Sequence, residues 1–290
     1  SETEPVHSIA LATDYDNYPS VPYLYLAAHI GTEIHFWRSI DYGRNWIDHT
    51  ILNSGDVRFP DIAYGWNTAG MVYVVYGKDQ SVYLDRNSTY GALGAWTLDF
   101  ASWPLSDSGN MPVVAGIADS IQVVFERANT TGSYRHLETR ATTDGGGIWY
   151  GAILSGSALE YMYPDLTGRG GAFRLAYLEF TETERHVVYT QCRDTAIAWW
   201  TPALTINDHF PYWDVKPYGN PCVEYLPGDR AGVAYTGYYE DRKVWIDYEE
   251  SPVTAVGDPV RGPRVARFGP LSNPLCESTP IHVVLEESAF

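Results

Sequence analysis

The chain has few of the features that define membrane-spanning, helical or nucleic-acid-binding proteins. No stretch approaches the ~18 consecutive apolar residues of a membrane span, and no long segment shows the periodicity of an amphipathic helix. Only three of its 19 basic residues are lysine, and the formal net charge is −17. Because nucleic acids and anionic membranes would be repelled over most of such a surface, we expect neither a nucleic-acid partner nor membrane insertion.

The residues that are abundant favour an all-β protein. Aromatic residues make up 14% of the 290 positions, with 23 tyrosines and 10 tryptophans, and β-forming residues are spread evenly along the chain. The length would suit two average domains, but repeat-built β folds fill it as one unit around a large core. We therefore expect a single domain over residues 1–290.

One octapeptide turn organises the sequence. Residues 39–46 (SIDYGRNW) follow the apolar run 34–37 and lead into another apolar segment, so they are predicted to link two neighbouring strands. The aspartate accepts backbone N–H bonds, the glycine permits positive φ, and the tryptophan is expected to fill the next layer. The pattern returns in residues 142–149 (TTDGGGIW) and, with only the aspartate and tryptophan kept, in residues 192–199 (CRDTAIAW). Three copies indicate a repeat architecture.

A second repeat is marked by proline. Short apolar strands follow five prolines that are 52, 52, 57 and 59 residues apart, a period typical of a four-stranded repeat. Because proline is tolerated at the first position of a strand, each of them is predicted to begin one. The prolines are Pro60, Pro112, Pro164, Pro221 and Pro280. The repeats span about 7–59, 60–111, 112–163, 164–220 and 221–279, with a closing strand in 280–290.

The octapeptide resembles the Asp-box (BNR) motif, Ser/Thr-x-Asp-x-Gly-x-x-Trp, of the sialidase-like β-propellers, and residues 39–46 match it at every defined position. The resemblance implies a propeller of four-stranded antiparallel blades, with the boxes between outer strands and remote from the active-site mouth. Five full periods and a closing strand at Ile281–Glu286 favour five blades, with six as the alternative. Asp-box propellers are usually exported, so the resemblance implies a secreted or cell-surface protein, which we expect to be a monomer.

Three cysteines allow at most one disulfide. Cys192, Cys222 and Cys276 have no C-x-x-C spacing, which argues against a zinc site. Cys222 and Cys276 lie at or just before the starts of equivalent repeat segments. They either pair across neighbouring repeats or remain independent buried thiols, as Cys192 does in both cases.

The candidate catalytic residues are carboxylates at the predicted mouth of the central channel. In a propeller the innermost strands line this channel, and the loops that lead into them form the mouth together with the loops after the second strands. Hydrolysis of a glycosidic bond requires two carboxyl groups, or a tyrosine aided by one, with one group held protonated. Asp61 begins an inner strand, and Glu126 and Glu179 end second strands. The alternative for each is a solvated strand end or a stabilising ion pair.

The candidate ligand-binding residues combine an arginine with aromatic side chains. Residues 58–60 (Arg-Phe-Pro) resemble the Arg-x-Pro core of the sialidase Phe-Arg-Ile-Pro motif, whose arginine binds the substrate carboxylate. In this chain the segment follows an Asp-box and is preceded by valine. The long loop predicted at 207–220 carries aromatic side chains that suit stacking on a sugar ring. The substrate-binding candidates are Arg58, Arg127, Trp213, Tyr238 and His209.

A metal ion in the channel is a separate hypothesis. Asp61, Asp165 and Glu224 occupy equivalent or nearly equivalent positions in three repeats, and converging oxygen ligands suit calcium. No dense Asp-x-Asp-x-Asp loop is present, so calcium is possible and no cofactor is required.

These patterns lead to three hypotheses of function. The leading one is an exported, sialidase-like propeller that hydrolyses a glycan-type or related small substrate at the channel mouth. The second is a non-catalytic carbohydrate-binding or adhesion module, and the third is a calcium-assisted esterase or phosphotriesterase.

Overall fold

The computed structural model describes residues 4–14, 22–66, 70–104, 111–128, 134–154, 160–193, 199–206, 216–226, 230–239 and 241–248. Every regular element in these ranges is a β-strand, which confirms the all-β prediction. None of the described segments is a helix that could cross a membrane. The strands are β1 (Val6–Thr13), β2 (Leu24–Ile30), β3 (Glu33–Ser39), β4 (Ile47–Ser54), β5 (Val57–Trp66), β6 (Val72–Lys78), β7 (Ser81–Asn87), β8 (Trp96–Pro104), β9 (Val113–Ile117), β10 (Ser120–Ala128), β11 (Arg135–Thr142), β12 (Tyr150–Leu154), β13 (Glu160–Arg169), β14 (Ala172–Phe180), β15 (Arg185–Arg193), β16 (Leu204–Thr205), β17 (Lys216–Leu226), β18 (Arg230–Tyr239) and β19 (Asp241–Tyr248).

The strands form antiparallel units in chain order. β1–β4, β5–β8, β9–β12 and β13–β16 are four-stranded, and β17–β19 add three described strands; we call these units 1 to 5. Gly65 and Trp66 at the end of β5 pair in parallel with Gly116 and Ile117 of β9, which joins units 2 and 3 into one eight-stranded sheet. The blade number stays a prediction, because the predicted closing strand Ile281–Glu286 lies outside the described residues.

Successive units pack face to face around a common axis. Tyr25 and Phe36 of unit 1 share a core with Ile62 and Tyr64 of unit 2, and three similar cores join the later units. Strands in the middle of this stack are covered on both faces, which explains their continuous apolar runs. The first strands of neighbouring units contact one another in the order β1, β5, β9, β13, β17. They are therefore the innermost strands.

Three of the repeated prolines lie inside strands at bulges, so the prediction that they begin strands was wrong for Pro60, Pro164 and Pro221, whereas Pro112 directly precedes β9. Pro60 lies inside β5, and the pairing with β6 shifts register between Arg58 and Asp61. The preceding Phe59 has a positive φ of 49°. A second copy of the bulge occurs at residues 162–165 in β13. Proline is tolerated there because a bulge leaves one residue without a partner in the hydrogen-bonded ladder.

The octapeptide turns of units 1 and 3 share one hydrogen-bonding pattern. Ser39 Oγ donates to Asp41 Oδ1 at 2.8 Å and accepts the Gly43 N–H at 2.8 Å, while Asp41 Oδ1 accepts the Asn45 N–H at 2.8 Å. The equivalent distances within residues 142–148 are 2.6, 3.1 and 3.0 Å. Gly43, the glycine of the first turn, has a positive φ of 79°, as the turn prediction requires.

Arginines from third strands hold the turn region of the following unit. Arg86 in β7 donates to the Gly145 carbonyl at 3.2 Å, and its guanidinium lies 4.0 Å from the centre of the Phe100 ring. One unit earlier, Arg38 in β3 donates to the Tyr90 carbonyl at 2.8 Å. These contacts join each turn region to the neighbouring unit, so the role of the turns is structural. We call the approach of Arg86 and Phe100 to residues 145–146 the latch between units 2 and 3.

The tryptophans of the three octapeptides have different environments. Trp149 packs against Trp103 with ring centres 4.9 Å apart, as expected for a ring that fills a layer. Trp46 is 37% exposed and Trp199 is 81% exposed. The layer-filling prediction was wrong for Trp199, whose copy keeps neither the hydroxyl residue nor the glycine. The strand predicted to start there is reduced to the two-residue β16.

Candidate active site

The inner strands β5 and β13 carry aspartates at equivalent positions directly after their bulges. Asp61 Oδ2 accepts the N–H of Val114 in unit 3 at 2.8 Å. Asp165 Oδ2 accepts the N–H of Val223 in unit 5 at 2.6 Å. Both residues are half-buried, and each carboxylate binds the next inner strand.

Burial changes the acidity of both aspartates. Burial raises the pKa of Asp165 to about 6, although the hydrogen bond from the Val223 N–H opposes the increase. Burial also raises the pKa of Asp61 to about 7, and the negative charge of Asp165 adds to the increase. Because the charge of Asp165 adds to the increase at Asp61, ionisation of Asp165 favours the protonated form of Asp61. Two carboxyl groups coupled in this way can divide the roles of acid and base.

Two further polar groups lie beside Asp165. Glu224 Oε1 accepts the N–H of Tyr225 at 2.7 Å and lies 3.5 Å from the Thr167 hydroxyl. The Cys222 side chain hydrogen-bonds to Asp165, and burial, followed by the charge of Asp165, raises the thiol pKa to about 12. The thiol therefore stays protonated and stabilises the Asp165 carboxylate. Cys222 is exposed, so the alternative of a buried thiol was wrong for this residue, whereas Cys192 is buried. The pairing of Cys222 with Cys276 stays a prediction, because Cys276 lies outside the described residues.

At the opposite ends of the inner strands, an arginine bridges three units. The Arg169 guanidinium, at the end of β13, lies 4.2 Å from the centre of the Trp66 ring at the end of β5. It is also 5.7 Å from the Tyr225 ring, and the Tyr225 hydroxyl donates to the Arg169 carbonyl at 2.7 Å. Cation–π contacts of this kind stabilise a packed arrangement. Access to Asp61 and Asp165 is therefore expected from the ends of the strands where the bulges lie.

The rim at the bulge end is held by backbone hydrogen bonds between loops. The Asp79 N–H donates to the Asp56 carbonyl at 3.1 Å, and the Gly55 N–H donates to the Thr32 carbonyl at 2.9 Å. Arg58 Nη2 donates to the Asp79 carbonyl at 2.7 Å, which fixes the guanidinium at the rim three residues before Asp61. The structure thus brings two predicted site residues, Arg58 and Asp61, to the same strand end.

The two predicted catalytic glutamates lie between units 3 and 4. Glu126 shares a strand face with Val124, and Glu179 shares one with Tyr177, and both faces border the core between these units. Glu126 is fully buried, accepts the Tyr163 N–H at 2.8 Å and pairs with Arg135 at 3.0 Å. These contacts support a structural role for Glu126, which has no surface for a ligand in this structure. Glu179 is half-buried.

The remaining predicted ligand-binding residues are either already ion-paired or not described in full by the structure. Arg127 pairs with Glu138 at 2.6 Å, so its charge is already matched by a nearly buried carboxylate. Trp213 and His209 lie outside the described residues. Tyr238 is in β18, and only its backbone is described. The loop predicted to run from 207 to 220 is shorter, because β17 begins at residue 216.

The sequence predicts Asp165 only as a metal ligand, and it does not predict the contacts of Arg169. Asp165 nevertheless stands one residue after a repeated proline, as Asp61 does. That shared position was the available signal. Trp66 and Arg169 also end equivalent inner strands, but nothing in the sequence shows that their rings and charge meet across the axis.

No group of three or more His, Cys, Asp or Glu side chains in the described ranges is arranged to hold a metal ion. Asp61, Asp165 and Glu224 instead bond backbone N–H groups. The calcium hypothesis therefore has no support from the part of the chain that the structure describes.

Comparison with known proteins extends the description of the fold. No family model and no curated protein matches the sequence. Among solved structures, a Hadza microbial sialidase matches with a TM-score of 0.53 and 14% identity, over 80% of this chain and 50% of the sialidase chain. The chain has a β-propeller fold. At this identity the similarity shows the fold alone, and our chain covers only half the length of that sialidase.

Two glycoside hydrolases match more of the chain at lower TM-scores. A thermostable family-43 glycoside hydrolase has a TM-score of 0.44 and 16% identity, over 94% of this chain and 100% of its own. A family-43 endo-arabinanase from Bacillus licheniformis has a TM-score of 0.45 and 12% identity, over 87% and 96%. These matches are too distant to assign a reaction to the propeller.

Proposed function

We propose that this propeller is a glycan-directed hydrolase in which Asp61 and Asp165 form the acid–base pair. The observation that carries the proposal is the arrangement of these two half-buried carboxyl groups on inner strands, where one pKa is about 7 and the other about 6. Asp61 would give its proton to the glycosidic oxygen of the leaving group, while the Asp165 carboxylate would take a proton from the attacking water.

Arg58 is the proposed contact for a polar or anionic group of the substrate. Its guanidinium is held at the rim by the Asp79 carbonyl, and its Nε has no hydrogen-bond partner in the described structure. A fixed, partly desolvated guanidinium suits recognition of a carboxylate or a pair of hydroxyl groups. Together with the Asp-box-like turns, this supports the finer proposal of a sialidase-like enzyme, which we also propose to be secreted and monomeric.

The experiment is a hydrolysis screen of the chain against aryl glycosides, including furanosides and sialosides, between pH 5 and 8. We expect a narrow bell-shaped pH profile of kcat/KM, because activity needs Asp165 ionised and Asp61 protonated. Asp165→Asn and Asp61→Asn should each abolish turnover. Asp85→Asn is the matched control, because Asp85 also has a pKa raised to about 7 by burial but is fully buried in β7.

Other outcomes would favour the competing functions. Saturable glycan binding with no turnover at any pH would support a carbohydrate-binding or adhesion module. Ester or phosphotriester hydrolysis that is lost with a chelator would support the metal-assisted alternative.

A further inference from the structure

The two channel aspartates accept the same backbone hydrogen bonds. Asp61 accepts the N–H of Val114 in the next unit at 2.8 Å. Asp165 accepts the N–H of Val223 in the next unit at 2.6 Å. Each carboxyl group also accepts the backbone N–H of the residue that follows it in the chain. Backbone donors therefore do not distinguish the two carboxyl groups.

The residue before each cross-unit donor is different. Both donors lie in a Pro-x-Val segment of an inner strand, in which x is Val113 in unit 3 and Cys222 in unit 5. Positions 113 and 222 are therefore equivalent, each one residue after a repeated proline. A valine side chain has no hydrogen-bond donor, whereas the S–H of a cysteine is a weak donor.

The thiol at this position contacts the nearby carboxyl group. The Cys222 side chain hydrogen-bonds to Asp165, so within the described ranges Asp165 accepts one more hydrogen bond than Asp61 does. Cys222 is a free, exposed cysteine in the structure. A hydrogen bond that is donated to the charged form of a carboxyl group stabilises that form. The thiol therefore favours an ionised Asp165.

Neighbouring charges act against ionisation of either aspartate. The Glu224 carboxylate raises the pKa of Asp165, and the Asp165 carboxylate raises the pKa of Asp61. Because repulsion between two carboxylates is mutual, ionisation of one aspartate favours the protonated form of the other. One additional donor on one of the two groups can therefore select which of them is the anion.

We propose that Cys222 makes Asp165, rather than Asp61, the carboxylate among the two channel aspartates, and so assigns the base and the acid. Cys222 is then a positioning residue, because it acts through Asp165. The roles of acid and base rest on the proposed function. The ionisation that Cys222 assigns can be measured without a substrate.

Alkylation of Cys222 by iodoacetamide tests its contact with Asp165. Coupling between two groups is reciprocal, and the Asp165 carboxylate, after burial, is a cause of the raised thiol pKa. We expect Asp165→Asn to raise the alkylation rate at about pH 8.5 by at least ~10-fold, because the thiol pKa returns toward its ordinary value and more thiolate forms. Asp41→Asn is the matched control and should leave the rate unchanged. Mass spectrometry of the Cys222 peptide measures the rate, and the buried Cys192 should stay unmodified in every folded variant.

Two results of this measurement would overturn the proposal. Equal alkylation rates in the unmodified chain and in a folded Asp165→Asn variant would show that the thiol is not coupled to the carboxyl group. Recovery of Cys222 in a disulfide from the unreduced chain would show that no S–H donor is present.

The pH profile of kcat/KM tests the assignment of the base. Cys222→Val copies the equivalent residue of unit 3 and should move the acidic limb to higher pH by about half a unit or more, because the charged form of Asp165 loses a donor. Cys222→Ser keeps a donor and should not move that limb to higher pH. An unchanged acidic limb in Cys222→Val, or a serine variant that behaves like the valine variant, would overturn the proposal. If alkylation shows the coupling but no substrate is turned over at any pH, the proposed function fails and the assignment of the carboxylate stands.

Discussion

The turn aspartates and the channel aspartates are both repeated features, but their environments shift acidity in opposite directions. Hydrogen bonds from the backbone and side chain of Asn45 lower the pKa of Asp41, and the Thr142 hydroxyl and backbone N–H groups lower that of Asp144. Burial raises the pKa of Asp61 and Asp165 instead. The turn carboxylates are stabilised as anions that accept hydrogen bonds from backbone N–H groups. The channel carboxyl groups instead hold protons that they can exchange near neutral pH.

The largest expected effect separates the two kinds of aspartate by activity. Asp61→Asn should reduce kcat/KM by at least ~100-fold, because general acid–base catalysis contributes about 10²–10⁴-fold. The isosteric Asp41→Asn variant is the matched control and should retain activity, since Asp41 lies in an outer turn. The measurement is steady-state hydrolysis of the best substrate from the screen. Comparable losses in both variants would show that the turn also acts in the reaction.

The next effect concerns the latch between units 2 and 3. A side chain added at Gly146 (φ 101°) would overlap the Phe100 ring, whereas one added at Gly145 (φ 70°) meets no atom within 4 Å. Both substitutions incur positive-φ strain, so their difference reports the close approach to Phe100. We expect Gly146→Ala to lower the free energy of unfolding by about 1–3 kcal/mol more than Gly145→Ala, as overpacking does. Urea denaturation of both variants measures this difference, and equal values would refute the latch.

A smaller effect is expected in the outer turn itself. Asp41→Ala removes the acceptor of the Asn45 N–H and should lower the Tm by a few degrees at neutral pH. Because the folded-state pKa of Asp41 is lowered, the stabilisation is present above the unfolded-state pKa of about 4 and is lost as pH falls below it. The Tm difference from the unmodified chain should therefore disappear in acid. A pH-independent difference would assign the effect to something other than the carboxylate.

Local features were predictable from the sequence, and features that depend on packing between units were not. The turn at Asp41 and Gly43 depends only on hydrogen bonds to nearby backbone groups, so its residue types were enough to predict it. The bulge at Pro60 was missed because the positive φ of Phe59 depends on pairing with β6. Glu126 was predicted to be a catalytic carboxylate at a strand end, but it is buried, and its burial depends on Arg135 and on the backbone of unit 4. The electrostatic effect of Asp165 on Asp61 likewise depends on how units 2 to 5 are arranged.

The last expected effect is a pH dependence of stability to which the channel contributes. The folded-state pKa of Asp61 is raised to about 7, so folding favours its protonated form. Its contribution to stability is complete below the unfolded-state pKa of about 4 and is lost as pH rises through about 7. The Tm of the unmodified chain should therefore fall between pH 5 and pH 8, and Asp61→Asn should reduce that fall, with the remainder due to Asp165 and Asp85, whose pKa values burial also raises.

The same substitution would then remove activity and gain relative stability above pH 7, a combination that a purely structural aspartate does not give. Thermal melts of both proteins at matched ionic strength measure it. Asp41→Asn is the comparison, because loss of a carboxylate that folding prefers as an anion should lower stability at high pH. If Asp61→Asn also lowered the Tm at pH 8, the carboxylate would be stabilised as an anion in the folded state. Asp61 would then belong with the turn aspartates, and the proposed acid–base pair would lose its acid.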